Sequence, residues 1–434
     1  MRVLAPRFSI LFATLLVLST FLPIAVNAQY TMTILPTLGG TVASPSSIND
    51  AGWISGSSTL ANGREEHAVL WVNETLTDLG TLPGGKNSAV GFPVKSNRAM
   101  LVGFSQTGSS NPLHEDWQYI CGPFETPPVC AGKNRITLGY VWRDGVMTSL
   151  PPFEGGFISE AFGANNLGQI VGVAETGNVD GTCTSPQVLD YFGVMWAKDG
   201  SMQSLQPYPG DQISAAVGIN NRGQIVGASG PCAPLSPSIG AHALLWQDGS
   251  QLDLGNLGGT TNNVAFAINE RGEVVGFSGV QGDTTAHAFL WRNSGPMQDL
   301  GTLAGDVFSI AYSINNHGQI VGQSCDANGN CRAFLWEKGT MLDLNSLVNG
   351  GNTQLVVAFD INNRGQIVGE AYDPSSGQAP GFLIYPCDKA STARVNCDPA
   401  GASGALIEKP TLILPKTVRE QLRRKPTFGR LGTR

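Results

Sequence analysis

Histidine occurs only five times in the 434 residues, and no two of the eight cysteines stand in a Cys-x-x-Cys spacing. Those absences remove the common zinc-site and thioredoxin-type redox patterns. No phosphate-binding glycine loop with its lysine, nucleophile elbow or zinc-helix motif is present either. The sequence therefore names no cofactor, metal or reaction. Charged residues are scarce, at 14%. After the first 28 residues no segment is apolar enough to span a bilayer as a helix. What the chain has instead is glycine, 55 copies of it, a balance that suits many short strands and tight turns.

At the N-terminus, Arg2 and Arg7 precede an apolar run that ends in Val26-Asn27-Ala28. This reads as a signal peptide over residues 1–28, cut after Ala28, rather than an anchor, because the apolar core is barely long enough to span and a small-residue cleavage site follows. No cysteine opens the mature chain to carry a lipid. The expectation is a secreted protein, extracellular or periplasmic, with no transmembrane segment after cleavage. In that compartment the cysteines are expected to pair. Sequence proximity joins Cys325 to Cys331, Cys121 to Cys130 and Cys387 to Cys397, leaving Cys183 and Cys232 to each other.

The net charge of −7 hides an asymmetry. The leader and the segment from Glu408 to Arg434 hold ten of the basic residues and two of the acidic ones, so the remainder carries 16 basic against 31 acidic side chains. An acidic body argues against nucleic acid as a partner.

A repeat dominates everything after the leader. The phrase Ile-Asn-Asn-Arg-Gly-Gln-Ile-Val-Gly ends at Gly227 and Gly369, with close copies ending at Gly276 and Gly322 and weaker ones at Gly56, Gly103 and Gly172. Each is followed by a phrase such as His-Ala-Phe-Leu-Trp, ending at Trp71, Trp142, Trp196, Trp246, Trp291, Trp336 and Ile384, always with Ala or Gly in second place. A third phrase, as in Asp299-Leu300-Gly301-Thr302-Leu303, closes most units. The closest spacing is about 45 residues, one propeller blade. Asn-Asn-Arg-Gly and Asp-Gly are hairpin turns, so each unit has four strands. The small second residue suits close approach to a neighbouring sheet.

The seventh unit lacks its fourth strand, and Tyr30 to Gly40 matches it. Pairing the two ends in one blade removes the exposed edge that an open stack would leave. The fold class expected is therefore all-β, a seven-bladed β-propeller over residues 29–386, with an open β solenoid as the competing architecture. Residues 387–434 read as a basic, mostly disordered tail, and electrostatic contact with an anionic envelope polymer is its possible role.

At these phrases the chain resembles the bacterial extracellular HAF-repeat proteins, named for the triplet at His287-Ala288-Phe289. The resemblance covers Leu35 to Tyr385 and implies export and a tandem repeat of propeller type. It transfers no catalytic residue. The second unit departs from the pattern, since Asn97-Arg98-Ala99 lacks the turn glycine, and Leu138, Phe192, Arg332 and Pro380 replace the leading His.

His67, His242 and His287 share one repeat position, which reads as packing or a recurring hydrogen bond. Asp326 to Asn330 faintly resembles a calcium loop, but a disulfide-closed turn suits it better, with cysteines on both sides. Function is sought where the repeats differ. The closing Trp stands 15 positions after the Gly of Ile-Val-Gly in units one and five, against 39, 24 and 19 in units two to four. Extensions in one equivalent loop of neighbouring blades gather on one face. They carry His114, Glu115, Asp116, Trp117 and Tyr119, the candidate ligand-binding residues. Three functions compete: a binding module for a glycan or protein, a polysaccharide hydrolase or lyase using Glu115 and Asp116 as acids, and a structural envelope or matrix protein.

Overall fold

The computed structural model describes residues 30–387, apart from 74, 93–95, 98–99, 116–133, 234–239, 294 and 349, and also residues 413–416 and 419. The leader, Asp116, Trp117, Tyr119, Cys121, Cys130 and Cys397 lie outside the described residues.

Strand follows turn follows strand through the whole repeat, and the strands assemble into seven four-stranded antiparallel sheets. After β1 (Tyr30–Ile34), blade one is β2 (Gly39–Ile48), β3 (Ile54–Leu60), β4 (Glu66–Val72) and β5 (Thr75–Gly80). Blade two is β6 (Ser88–Val90), β7 (Met100–Ser110), β8 (Arg135–Arg143) and β9 (Val146–Leu150). Blade three is β10 (Ser159–Ala164), β11 (Ile170–Val179), β12 (Leu189–Trp196) and β13 (Met202–Leu205). Blade four is β14 (Ile213–Ile219), β15 (Ile225–Gly230), β16 (His242–Gln247) and β17 (Ser250–Asp253). Blade five is β18 (Val264–Ile268), β19 (Val274–Gly279), β20 (Ala286–Trp291) and β21 (Gln298–Asp299). Blade six is β22 (Phe308–Ile314), β23 (Ile320–Cys325), β24 (Cys331–Glu337) and β25 (Thr340–Asp343). Blade seven has β26 (Gln354–Ile361), β27 (Ile367–Tyr372) and β28 (Gly381–Pro386) from the last unit, and β1 supplies its fourth strand. Tyr30 stands opposite Pro386 and Ile34 opposite Phe382. The expected closure is thus the observed one, and the protein is a seven-bladed propeller.

The Ile-Asn-Asn turns join first and second strands, while the extensions join second and third. The two sets therefore emerge on opposite faces of the disc. First strands of successive blades touch, as β14 with β18, β18 with β22 and β26 with β2, which sets them around the axis.

In most first strands one extra residue bulges out of register: Ser46, Phe162, Val217, Phe266, Tyr312 and Phe359. Several of these side chains fill the axis. The ring of Tyr312 lies 5.6 Å from Phe266 and 5.5 Å from Phe359. Phe92 of blade two reaches Tyr312 of blade six at 5.9 Å, a contact that crosses the middle of the disc.

Neighbouring blades are fastened by recurrent hydrogen bonds. Ser88, at the start of β6, accepts from the Ala68 amide at 2.8 Å and donates to the Gly80 carbonyl at 2.6 Å, and Ser309 does the same for Ala288 and Gly301. Close approach explains the small second residue of the Trp phrase: a Cβ on Gly139 would lie 3.1 Å from the Ala161 nitrogen. Three of the Trp indoles reach back one blade. Trp71 donates to the Pro36 carbonyl at 2.9 Å, Trp196 to Pro151 at 3.1 Å and Trp246 to Gln206 at 3.0 Å.

Candidate functional site

Two places gather polar side chains: the axial end under the Ile-Asn-Asn turns, and the lobe of extensions on the opposite face.

In every turn but that of blade two, where Ser96 takes the place, the first Asn caps its own hairpin and reaches the next blade. Asn220 Oδ1 accepts from the Arg222 and Gln224 amides, while its Nδ2 donates to the Asn269 carbonyl at 3.0 Å. The second residue completes a closed circle. The Asp50 amide donates to Asn97, Asn97 to Asn166, Asn166 to Asn221, Asn221 to Glu270, Glu270 to Asn316, Asn316 to Asn363 and Asn363 back to Asp50, all at 2.7–3.1 Å. The circle surrounds a polar cup of about 80 Å³ whose lining includes Ile219, Ile268 and Ile314. The sequence marks these residues as turn formers alone, since nothing local shows that a side chain serves the next repeat.

On the other face the described parts of the three extensions are linked to one another. Cys183 and Cys232 are disulfide-bonded, with Cα atoms 4.5 Å apart, so blade three is tied to blade four. Beside that bond the Thr184 amide donates to the Cys232 carbonyl at 3.0 Å, and the Tyr191 hydroxyl donates to the Ala233 carbonyl at 2.9 Å. Asp180 lies near both sulfurs, but their bonding to each other leaves no thiolate for a metal.

Glu115 ties blade two to blade three. Its side chain is fully buried, and Oε1 accepts from the Val188 and Leu189 amides at 2.8 Å each and from Gln187 Nε2 at 3.3 Å. A ligand could touch this carboxylate only by displacing the blade-three chain. The expectation of Glu115 among exposed contact residues, or as one of two working acids in a hydrolase, does not fit that burial. His114 beside it is exposed, with φ at +60°. The structure thus separates the two described candidates, one facing solvent and one the interior.

Glu175, on β11, is also fully buried and faces Glu115. Its Oε2 accepts from the Phe157 and Ile158 amides at 2.9 Å. Burial, then the charge of Glu115, pushes its carboxyl up to about 8. Its sequence setting, an ordinary strand position, gave no sign of this.

The three repeat-position histidines hold carboxylates on the blade rim. His67 Nδ1 lies 2.9 Å from Asp78, His287 3.0 Å from Asp299 and His242 2.8 Å from Asp211. Arg332 makes the same link to Asp343 at 3.2 Å where His is missing. The Asp326 carboxylate is spent within its own turn, accepting from the Asn328 and Asn330 amides, and Cys325 is bonded to Cys331. Cys387 is also in a disulfide, with its expected partner Cys397 outside the described residues. The tail departs from expectation at one point. Leu414 is 2% exposed against Val356 and Tyr372, and its amide donates to Asn330 Oδ1 at 3.0 Å. Among the described residues no helix is long and apolar enough to cross a membrane.

No family model and no curated protein matches the chain. Among solved structures, a triple arginine-to-alanine mutant of AofleA from Arthrobotrys oligospora is similar at 9% identity and a TM-score of 0.32, over 73% of this chain and 85% of that one. Dipeptidyl peptidase 4 from Porphyromonas gingivalis is similar at 10% identity and a TM-score of 0.28, over 76% of this chain and 44% of its own. At such scores neither likeness bears on function.

Proposed function

We propose that the protein is a secreted, non-enzymatic binding module of the HAF-repeat type, whose extension lobe docks a glycan or a protein. The carrying observation is that the described parts of the extensions of blades two to four are joined by Glu115 and by the Cys183–Cys232 bond, although no blade needs them for closure. Repeat residues, by contrast, are engaged in holding blades to one another. A surface preorganised on a rigid disc binds at lower entropic cost. Trp117 and Tyr119 are its aromatic contacts, with His114 at its edge.

The test is a screen of glycans and envelope proteins against wild type and Trp117→Ala. Binding should weaken by more than about 1 kcal/mol while the melting temperature stays nearly unchanged. A second variant removes residues 112–133, joining Asn111 to Asn134, whose backbones already meet at 2.7 Å. A ligand whose affinity survives that deletion refutes the assignment.

A further inference from the structure

Glu115 and Glu175 come from different blades, and each leaves one buried oxygen, Glu115 Oε2 and Glu175 Oε1, with no N–H or hydroxyl donor among the described residues. The other oxygen of each is saturated by backbone amides. The two carboxyl groups stand within hydrogen-bonding reach of each other. Two carboxylates cannot share such a place, because the remaining oxygen of each would be desolvated beside a like charge with nothing donated to it. A single proton resolves the arrangement: Glu175 donates it to Glu115, and both oxygens are satisfied at once.

We propose that this pair is a proton-dependent latch, in which one shared proton fastens residues 111–115 of blade two onto blade three and its loss frees them. The amides of Val188 and Leu189, held by Glu115, open when the latch does. The inference concerns how the lobe is fastened and holds whatever the lobe binds. Its readout is amide opening, so its failure is distinct from failure of the binding reading.

The sign follows from linkage. The latched state keeps a proton up to about pH 8, whereas a free glutamate loses it near 4.5. The latch is therefore at full strength below pH 4.5, weakens as pH rises between those values, and changes no further above them. Other titratable groups around the pair are Glu160 on β10, Tyr191 and Asp190 on β12, Asp180 and Glu154 in adjoining turns, and His114 beside Glu115. Burial pushes Glu160 well up too, so it needs its own control.

Hydrogen exchange at Val188 and Leu189 in the full chain, corrected for intrinsic chemistry, tests the proposal between pH 4.5 and 9. Opening constants should rise approaching tenfold per pH unit up to about pH 8 and then level off. In Glu175→Gln the amide supplies a permanent N–H to Glu115 and its oxygen still accepts from Phe157 and Ile158, so the profile should be flat. Glu160→Gln and His114→Gln should keep the wild-type slope. A flat wild-type profile, or an unchanged slope in Glu175→Gln, overturns the latch. If Glu175→Gln fails to fold, Glu115→Gln supplies the same donor from the other side, and a retained slope there overturns it equally.

Discussion

At Gly276 an added Cβ would sit 1.9 Å from the Val264 carbonyl oxygen, and the same 1.9 Å is met at Gly227 and Gly322. Each of these glycines faces the first strand where its extra residue bulges toward the axis, so the motif's glycine and the axial plug are two sides of one requirement. Gly276→Ala should cost about 2 to 3 kcal/mol through forced backbone displacement. Gly249→Ala is the comparison, because nothing lies within 4 Å of its Cβ and only its φ of +74° opposes the change. That variant should cost about 1 kcal/mol. Denaturant melts of both check the ranking, and equal losses would mean that the bulge contact is not what selects glycine. The glycines, small residues and hairpin turns were legible because they recur. Glu175 was not, since it lies at an ordinary strand position, and Glu115, singled out as a ligand contact, is instead buried against it.

At the scale of the element, the extensions show how a loop becomes a fixed surface. Cys183 and Cys232 close 49 residues of chain, a span over which a disulfide restricts the unfolded state by roughly 3 to 4 kcal/mol in the chain-entropy view. A Cys183→Ser/Cys232→Ser variant should lower thermal stability and raise proteolytic cleavage within 180–189 and 232–240. It should leave the Cys325–Cys331 hairpin intact, because that bond closes within blade six. Peptide mapping after brief proteolysis distinguishes the outcomes, and unchanged cleavage would mean that hydrogen bonding alone holds the lobe. Equal lengths in units one and five against the long intervals of units two to four were enough to place the lobe. The Cys183–Cys232 fastening was legible as well, as the pair left over among the cysteines, whereas the hydrogen bonds of Glu115 were beyond any local pattern.

For the whole molecule, closure decides stability. β1 completes blade seven, and Tyr30 is 6% exposed beneath it. Deleting Tyr30 to Leu35 uncovers the edge of β28 and opens the circle of blades. Removing everything after Asp398 takes away the docked Leu414, for which burial of one leucine suggests about 1.5 to 3 kcal/mol. Calorimetry of both deletions should show the first to be much the more damaging, with the second measurable. A wild-type melt for the N-terminal deletion contradicts closure as the source of stability. A wild-type melt for the tail deletion would mean that Leu414 contributes nothing in solution.

By itself the sequence determined the blade, the number of blades and the way the ends meet. A repeated phrase writes the same turn, strand and small-residue contact many times, and a missing strand at one end is visible beside a spare one at the other. Tertiary structure alone decided what fills the axis, how the turn residues link into a circle, where Leu414 lies and which buried carboxyl groups face each other. The physical reason is distance along the chain. Periodicity encodes interactions that every unit repeats, whereas Phe92 meets Tyr312 only after the disc has closed, and Glu115 meets Glu175 from an extension that no other unit copies.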